Sequence, residues 1–229
     1  MKQRRYGPLS PTCSTVQRNG LRGFTLVELL TVVGIIAIFA VVALPAVTRQ
    51  LRERRTTNAS QQIAQMYRIA RMRALGRGSA VLVRYNASDG FHLREAIVGT
   101  TGGLGGCQLS VISSCTASPG RWDDATYYRE IDSFDPAHSS AYDMVQLVVH
   151  GSSTTVLSNL DVCFTPAGAT FWQTASGGFS RLSFVPHAHV WSNDSGGRAG
   201  VQRLVFVLSN GAARVTECDW EHDTQCSAI

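Results

Sequence analysis

Apolar and polar positions recur with three different periods along the chain, and each period predicts a different kind of element. From Phe24 to Val47 the stretch FTLVELLTVVGIIAIFAVVALPAV is apolar or uncharged except for one carboxylate, Glu28. At about 1.5 Å per helical residue it spans roughly 36 Å, enough to cross a hydrocarbon core of about 30 Å. Beyond it, Ala59, Ile63, Met66, Tyr67, Ala70 and Ala74 recur at helical spacing, predicting an amphipathic stem helix over 48–77 that ends at Gly76 and Gly78. That stripe is read as core against a sheet. The opposite face, with Arg68, Arg71 and Arg73, is read as solvated, with anionic lipid or acidic neighbouring heads as the alternative. Past Gly78 short runs predict strands at 80–85, 91–98, 144–150, 154–157, 162–165, 181–185, 201–208 and 213–218, separated by Gly, Ser, Asp and Pro. Asn210-Gly211 between the last two predicts a two-residue hairpin turn of the primed type.

Charge sorts these segments further. Residues 1–23 carry Lys2, Arg4, Arg5, Arg18 and Arg22 and no acid, a balance of +5. Residues 24–77 balance at +6 and residues 78–229 at −6, so the β-rich part is acidic although the whole chain is +5. An acidic head argues against a phosphate-seeking one. Cys13 precedes the apolar run, whereas Cys107, Cys115, Cys163, Cys218 and Cys226 follow it, which places the head in an oxidising compartment. The equal spacings of Cys107 to Cys115 and Cys218 to Cys226 suit two local disulfide loops, each worth roughly 2.6 kcal/mol, with Cys163 left over. Pairing of Cys163 with Cys218, leaving Cys226 free, is the alternative. Arginines on both sides of the apolar run nearly tie the positive-inside rule, and the cysteines break the tie by making the N-terminus cytoplasmic. A cleaved secretory signal ending near ALPA at 43–46 competes with a membrane helix, but its apolar region should be only about 7–15 residues long.

Glu28 is the anomaly, because an ionised group in lipid costs on the order of 2.5–3.5 kcal/mol and calls for a partner or a task. The stretch RGFTLVELL, residues 22–30, resembles the class III signal of type IV pilins and type II secretion pseudopilins: a basic leader ending in glycine, then phenylalanine, with glutamate at the fifth mature position. The resemblance implies that a prepilin peptidase cuts between Gly23 and Phe24 and methylates the new amino group. It also implies that Glu28 meets the amine of Phe24 in a neighbouring subunit as a filament leaves the inner membrane. Pro45 matches that family's helix kink, since an interior proline removes a backbone bond and bends the axis. The implied fold is α+β and pilin-like: a 1–23 leader peptide, then a long kinked N-terminal helix with a transmembrane half (24–47) and an amphipathic half (48–77), packed on an antiparallel β-sheet head (78–229). ARMRALGRGSAVLVRY, residues 70–85, resembles the GspH/FimT branch. That likeness implies a non-enzymatic minor pseudopilin of the type II secretion pseudopilus, with other pseudopilins and the prepilin peptidase as partners and no cofactor. It also implies a single-pass inner-membrane protein with a periplasmic head. A minor pilin of a type IV pilus is the alternative.

Other candidate chemistry is thin. His187 and His189 in PHAHVW share a strand face, but no third metal ligand is evident, and no metal site is expected. Asp219, Glu221 and Asp223 in CDWEHDTQC suit calcium by type, without an ordered ligand pattern. GTTGGLGG at 99–106 lacks a phosphate-loop lysine, Lys2 being the sole lysine, and no nucleophile elbow occurs. FimT-type minor pilins of DNA uptake carry a GRxR-like motif; the matching Gly211-Ala212-Ala213-Arg214 keeps only Gly211 and Arg214. With Arg198 and Arg203 nearby on an acidic head, nucleic acid is not the expected partner.

Overall fold

The computed structural model describes residues 24–97, 112–115, 122–136, 138–142, 144–151, 155–174, 178–194 and 197–218. The chain divides into two compact units, residues 1–45 and 46–229. A single helix, α1 (Leu26–Arg77), begins in the first and ends in the second, with Pro45 inside it. In the first unit it is the one described helix apolar enough to cross a bilayer, its best 18-residue window averaging a hydropathy of 2.8.

In the second unit the stem part of α1 buries Thr56, Ala59, Ser60, Ile63, Ala64, Met66, Tyr67, Ala70 and Ala74, the face that the spacing predicts. It ends as a left-handed cap: Gly78 takes φ 71° and its N–H donates to the Ala74 carbonyl at 3.2 Å. Eleven strands follow among the described residues: β1 (Val81–Asn86), β2 (Gly90–Ala96), β3 (Tyr128–Phe134), β4 (Val145–His150), β5 (Val156–Leu157), β6 (Asn159–Phe164), β7 (Thr170–Gln173), β8 (Ser180–Arg181), β9 (His187–Asp194), β10 (Gly197–Val207) and β11 (Ala213–Cys218). They form two antiparallel sheets, ordered β3-β2-β1-β6-β7-β8 and β11-β10-β9-β4-β5. The fold is α+β and pilin-like, a long N-terminal helix packed on antiparallel sheets.

Strand parity explains the core. Val81, Val83 and Tyr85 of β1, Phe91 and Leu93 of β2, and Leu160, Val162 and Phe164 of β6 join the stem in one cluster. Val145 and Val149 of β4, Ala188 and Val190 of β9, and Val205 and Val207 of β10 bring the second sheet into the same core. Tyr67 meets Phe91 and Phe164 edge-on at centroid distances of 6.4 and 6.5 Å. Burying an aliphatic or aromatic side chain of this kind contributes about 1.5–3 kcal/mol. Side chains of opposite parity, Leu82 and Cys163, close a smaller core with Ala80, Ala96, Cys115 and Trp122.

Three expectations need correction. Cys115 pairs with Cys163 across a separation of 48 residues, so neither a local Cys107–Cys115 loop nor a Cys163–Cys218 bond forms. The reason is the small core, where Cys163 points away from the stem toward the segment that brings Cys115 and Trp122 over β1. Cys218 is also disulfide-bonded, while Cys107 and Cys226 lie outside the described residues. The last hairpin exists, but its turn is not primed. The Gly211 N–H donates to the Leu208 carbonyl at 2.7 Å, the Leu208 N–H to Ala212 at 3.0 Å, and Gly211 alone in the loop has positive φ, at 79°. That is a three-residue loop with a glycine bulge. Residues 181–185 are mostly not a strand: after the Leu182 N–H reaches Thr170, the chain leaves the first sheet for β9 in the second.

Candidate assembly site

Every described residue of the first unit is exposed, including Phe24 at 82%, Leu26 at 74% and Phe39 at 70%. A helix apolar on all sides is stable in lipid or against other helices and not alone in water. Its start is locally encoded. Thr25 caps it, Oγ1 accepting the Glu28 N–H at 3.2 Å while the Thr25 carbonyl accepts the Leu29 N–H at 3.2 Å. Thr25 and Glu28 thereby take the first and last positions of a Thr-x-x-Glu capping sequence. The Thr31 hydroxyl donates back to the Glu28 carbonyl at 2.9 Å. Glu28 thus sits in the first turn, where the helix dipole favours a carboxylate. Among the described residues no cation pairs with it. What this arrangement offers chemically is a fixed anion in an apolar surround, ready for a cation from another molecule.

The head holds a second carboxylate that sequence reasoning missed. Glu95 shares the inward parity of Phe91 and Leu93 and is fully buried. Arg129 Nη2 and Arg77 Nε lie 2.7 Å from it, Ser79 Oγ donates at 2.8 Å, and Arg73 Nη2 donates at 3.3 Å. Burial pushes its pKa up, but the bonds from Arg129 and Ser79, with Arg77 and Arg73, outweigh burial and hold it below the ordinary carboxylate value. Arg73 therefore belongs to a clamp between the stem and β2, not to a solvated face. The signal was present in FHLREAIV, where an acid occupies a position whose parity demands an apolar residue.

Elsewhere the candidates separate. His187 and His189 share a face, with ring centroids 4.9 Å apart, and His150 of β4 joins them at 5.3 and 4.7 Å. The third imidazole escaped notice because the pairing of His150 with His187 is set by sheet register. Among the described residues no group of three His, Cys, Asp or Glu has metal-holding geometry. Burial, with His150 nearby, pushes the His187 pKa down against a bond to the Val185 carbonyl. Asp219, Glu221, Asp223 and the 99–106 loop lie outside the described residues, as does the side chain of Arg198. Arg214 is exposed, whereas Arg203 is paired with Glu217. A cleft of about 250 Å³ lined by Arg84, Asp123 and Asp161 is occupied by its own ion pair, Arg84 donating to both Asp161 oxygens at 2.8 Å.

Residues 18–44 match the family model described as the prokaryotic N-terminal methylation motif. No curated protein matches the chain, and no solved structure does. The match covers Gly23, Phe24 and Glu28, and with the fold it supports a pilin-like or pseudopilin protein bearing a prepilin-type signal.

Proposed function

We propose that the chain is a minor pseudopilin, a structural subunit of the type II secretion pseudopilus. The observation that carries this is Glu28, a capped first-turn carboxylate and the one charge in the segment 24–45, whose residues are all exposed, within a methylation-motif match. In this reading Gly23 and Phe24 form the site cut by the prepilin peptidase, and the methylated amine of Phe24 in one subunit neutralises Glu28 of the next. A buried ion pair of this kind acts as a register device more than a source of stability, because desolvation offsets much of its attraction. Before assembly the helix rests in the inner membrane with its N-terminus cytoplasmic and the disulfide-bearing head periplasmic. Pro45 lacks the N–H that an interior helical position would donate, which supports a bend there. The glycine-capped stem end leading directly into β1 supports a GspH-like assignment. Arg203 held by Glu217 leaves Arg214 little help in neutralising phosphates, which favours secretion over DNA uptake.

The test is Glu28→Ala. The variant should insert, be processed at Phe24 and accumulate, yet be lost from the pseudopilus and fail to support secretion. Normal incorporation and secretion would remove the ion-pair role.

A further inference from the structure

Arg49, Arg52, Arg54 and Arg55 crowd residues 49–55 of α1, just past the end of the apolar run at Val47, with Glu53 as the one acid among them, a balance of +3. They precede Thr56, the first buried residue of the helix, so they stand before the stem begins to pack on the head. At 3.6 residues per turn the four arginines fall at about 0°, 300°, 140° and 240° around the axis, with Glu53 at about 40° in the widest gap. Arg54 is exposed, and Arg49, its side chain 77% exposed, meets Glu53 at 3.4 Å in a weak surface pair that leaves the balance unchanged. Val47 and Leu51, both about half exposed, interleave apolar surface with these cations.

The charges form a girdle and not a face. A folded partner presses on one side of a helix and neutralises what lies there, whereas a layer surrounding the helix reaches all four azimuths and responds to their net charge whichever local pairs they make. The position fits the same layer. Arg49 to Arg55 lie about 3–12 Å past Val47 along the axis, and the headgroup region adds about 5–8 Å to each side of a hydrocarbon core. Helical Cα–Cβ bonds tilt toward the helix N-terminus, here toward Val47, so the arginine stems lean back along the apolar run and carry their charged ends to its rim. A guanidinium matches phosphate oxygens bidentately. In the orientation proposed above these charges stand on the side away from the cytoplasm, where the positive-inside rule disfavours them, and anionic headgroups supply the compensating charge.

We infer that Arg49, Arg52, Arg54 and Arg55 form a girdle that binds anionic phospholipid headgroups of the outer leaflet and fixes the depth of the helix until the subunit leaves the membrane. The inference rests on the membrane-resident state of the reading above and adds a lipid class to it. Extraction into a filament then has to break these contacts.

The experiment uses the full chain in mild detergent, offered phosphatidylglycerol and phosphatidylcholine of the same acyl chains at equal concentration, with bound lipids counted by native mass spectrometry. The chain should retain phosphatidylglycerol at least tenfold over phosphatidylcholine. One arginine near an anionic surface is worth about a fivefold change in binding, so R49Q/R54Q should lower that ratio at least fivefold. R181Q/R214Q, which removes two exposed arginines of the head, should leave it unchanged. Should R49Q/R54Q not accumulate, R54Q alone must still lower the ratio at least twofold. A ratio near one, a ratio unmoved by R49Q/R54Q or moved equally by R181Q/R214Q, or arginine-dependent capture of an acidic protein without a lipid preference overturns the inference. The N-terminal mass read on the same sample separates the failures: no lipid preference with methylated Phe24 as terminus sinks the girdle alone, and a preference with a different terminus sinks the filament reading alone.

Discussion

Replacing Glu95 by Gln keeps shape and size but removes the charge that three guanidiniums share. The carboxylate is fully buried, and bonds from Arg129, Arg77 and Arg73 all terminate on it. A hydrogen bond to a charged group contributes about 1.5–3 kcal/mol against about 0.5–1.5 for a neutral one, so three such bonds lose roughly 3 kcal/mol together. Arg77 and Arg129 are 45% and 42% exposed and can turn toward water, which brings the expected loss to about 2 kcal/mol. The protein purified in detergent, unfolded with urea and followed by near-ultraviolet circular dichroism of its buried tryptophans, should show that loss as a lower midpoint at unchanged slope. Glu53→Gln, which breaks only the exposed i,i+4 pair with Arg49, serves as control at under about 0.5 kcal/mol. There is also a pH signature. The folded pKa of Glu95 is depressed, so its contribution is complete above the ordinary carboxylate value and fades as pH falls through it toward the folded value. E95Q should flatten that acidic limb. A loss no larger than the Glu53 control, or an unchanged acidic limb, would refute the clamp.

Two further predictions concern the second sheet and the small core. His187 has a folded pKa below 6.5, so the unfolded chain takes up its proton first, and stability should be full above about pH 6.5 and decline as pH falls below it. Urea midpoints between pH 7.5 and 5.5 should show this decline, and H187Q should weaken it; an identical profile in the variant counts against it. Replacing Cys115 and Cys163 together by Ser opens a 48-residue loop and should cost on the order of 4 kcal/mol, with Trp122 fluorescence shifting to the red. An unmoved midpoint would mean that packing alone holds that segment.

What the sequence discloses follows how local the determining physics is. The stem face from Ala59 to Ala74 is set by helical period and was legible residue by residue. Strand β3 was not, because in YREIDSF the acids Glu130 and Asp132 share the parity of Tyr128 and Phe134, which erases the apolar alternation on an edge where only Phe134 is buried, and it joins β2 through a bulge between Leu93 and Arg94. β7 is four residues long, too short for periodicity to register. β10 starts at Gly197, upstream of the apolar run at 201, and its register shifts between Ala199 and Arg203. The Cys115–Cys163 bond and the His150–His187 contact depend on which strands become neighbours, which no spacing along the chain encodes. Glu28 was legible because one carboxylate in an apolar run conflicts with its surroundings, and Glu95 was the same conflict written on a strand, with its partners 22 residues before and 34 after it.

The central claim is that residues 1–23 are removed and that the filament contact begins at Phe24. Mass spectrometry of the N-terminal peptide from the membrane-extracted protein tests it most directly. The account predicts a mature chain beginning with N-methylated Phe24; a retained leader, an unmethylated terminus, or a start near Val47 would contradict it.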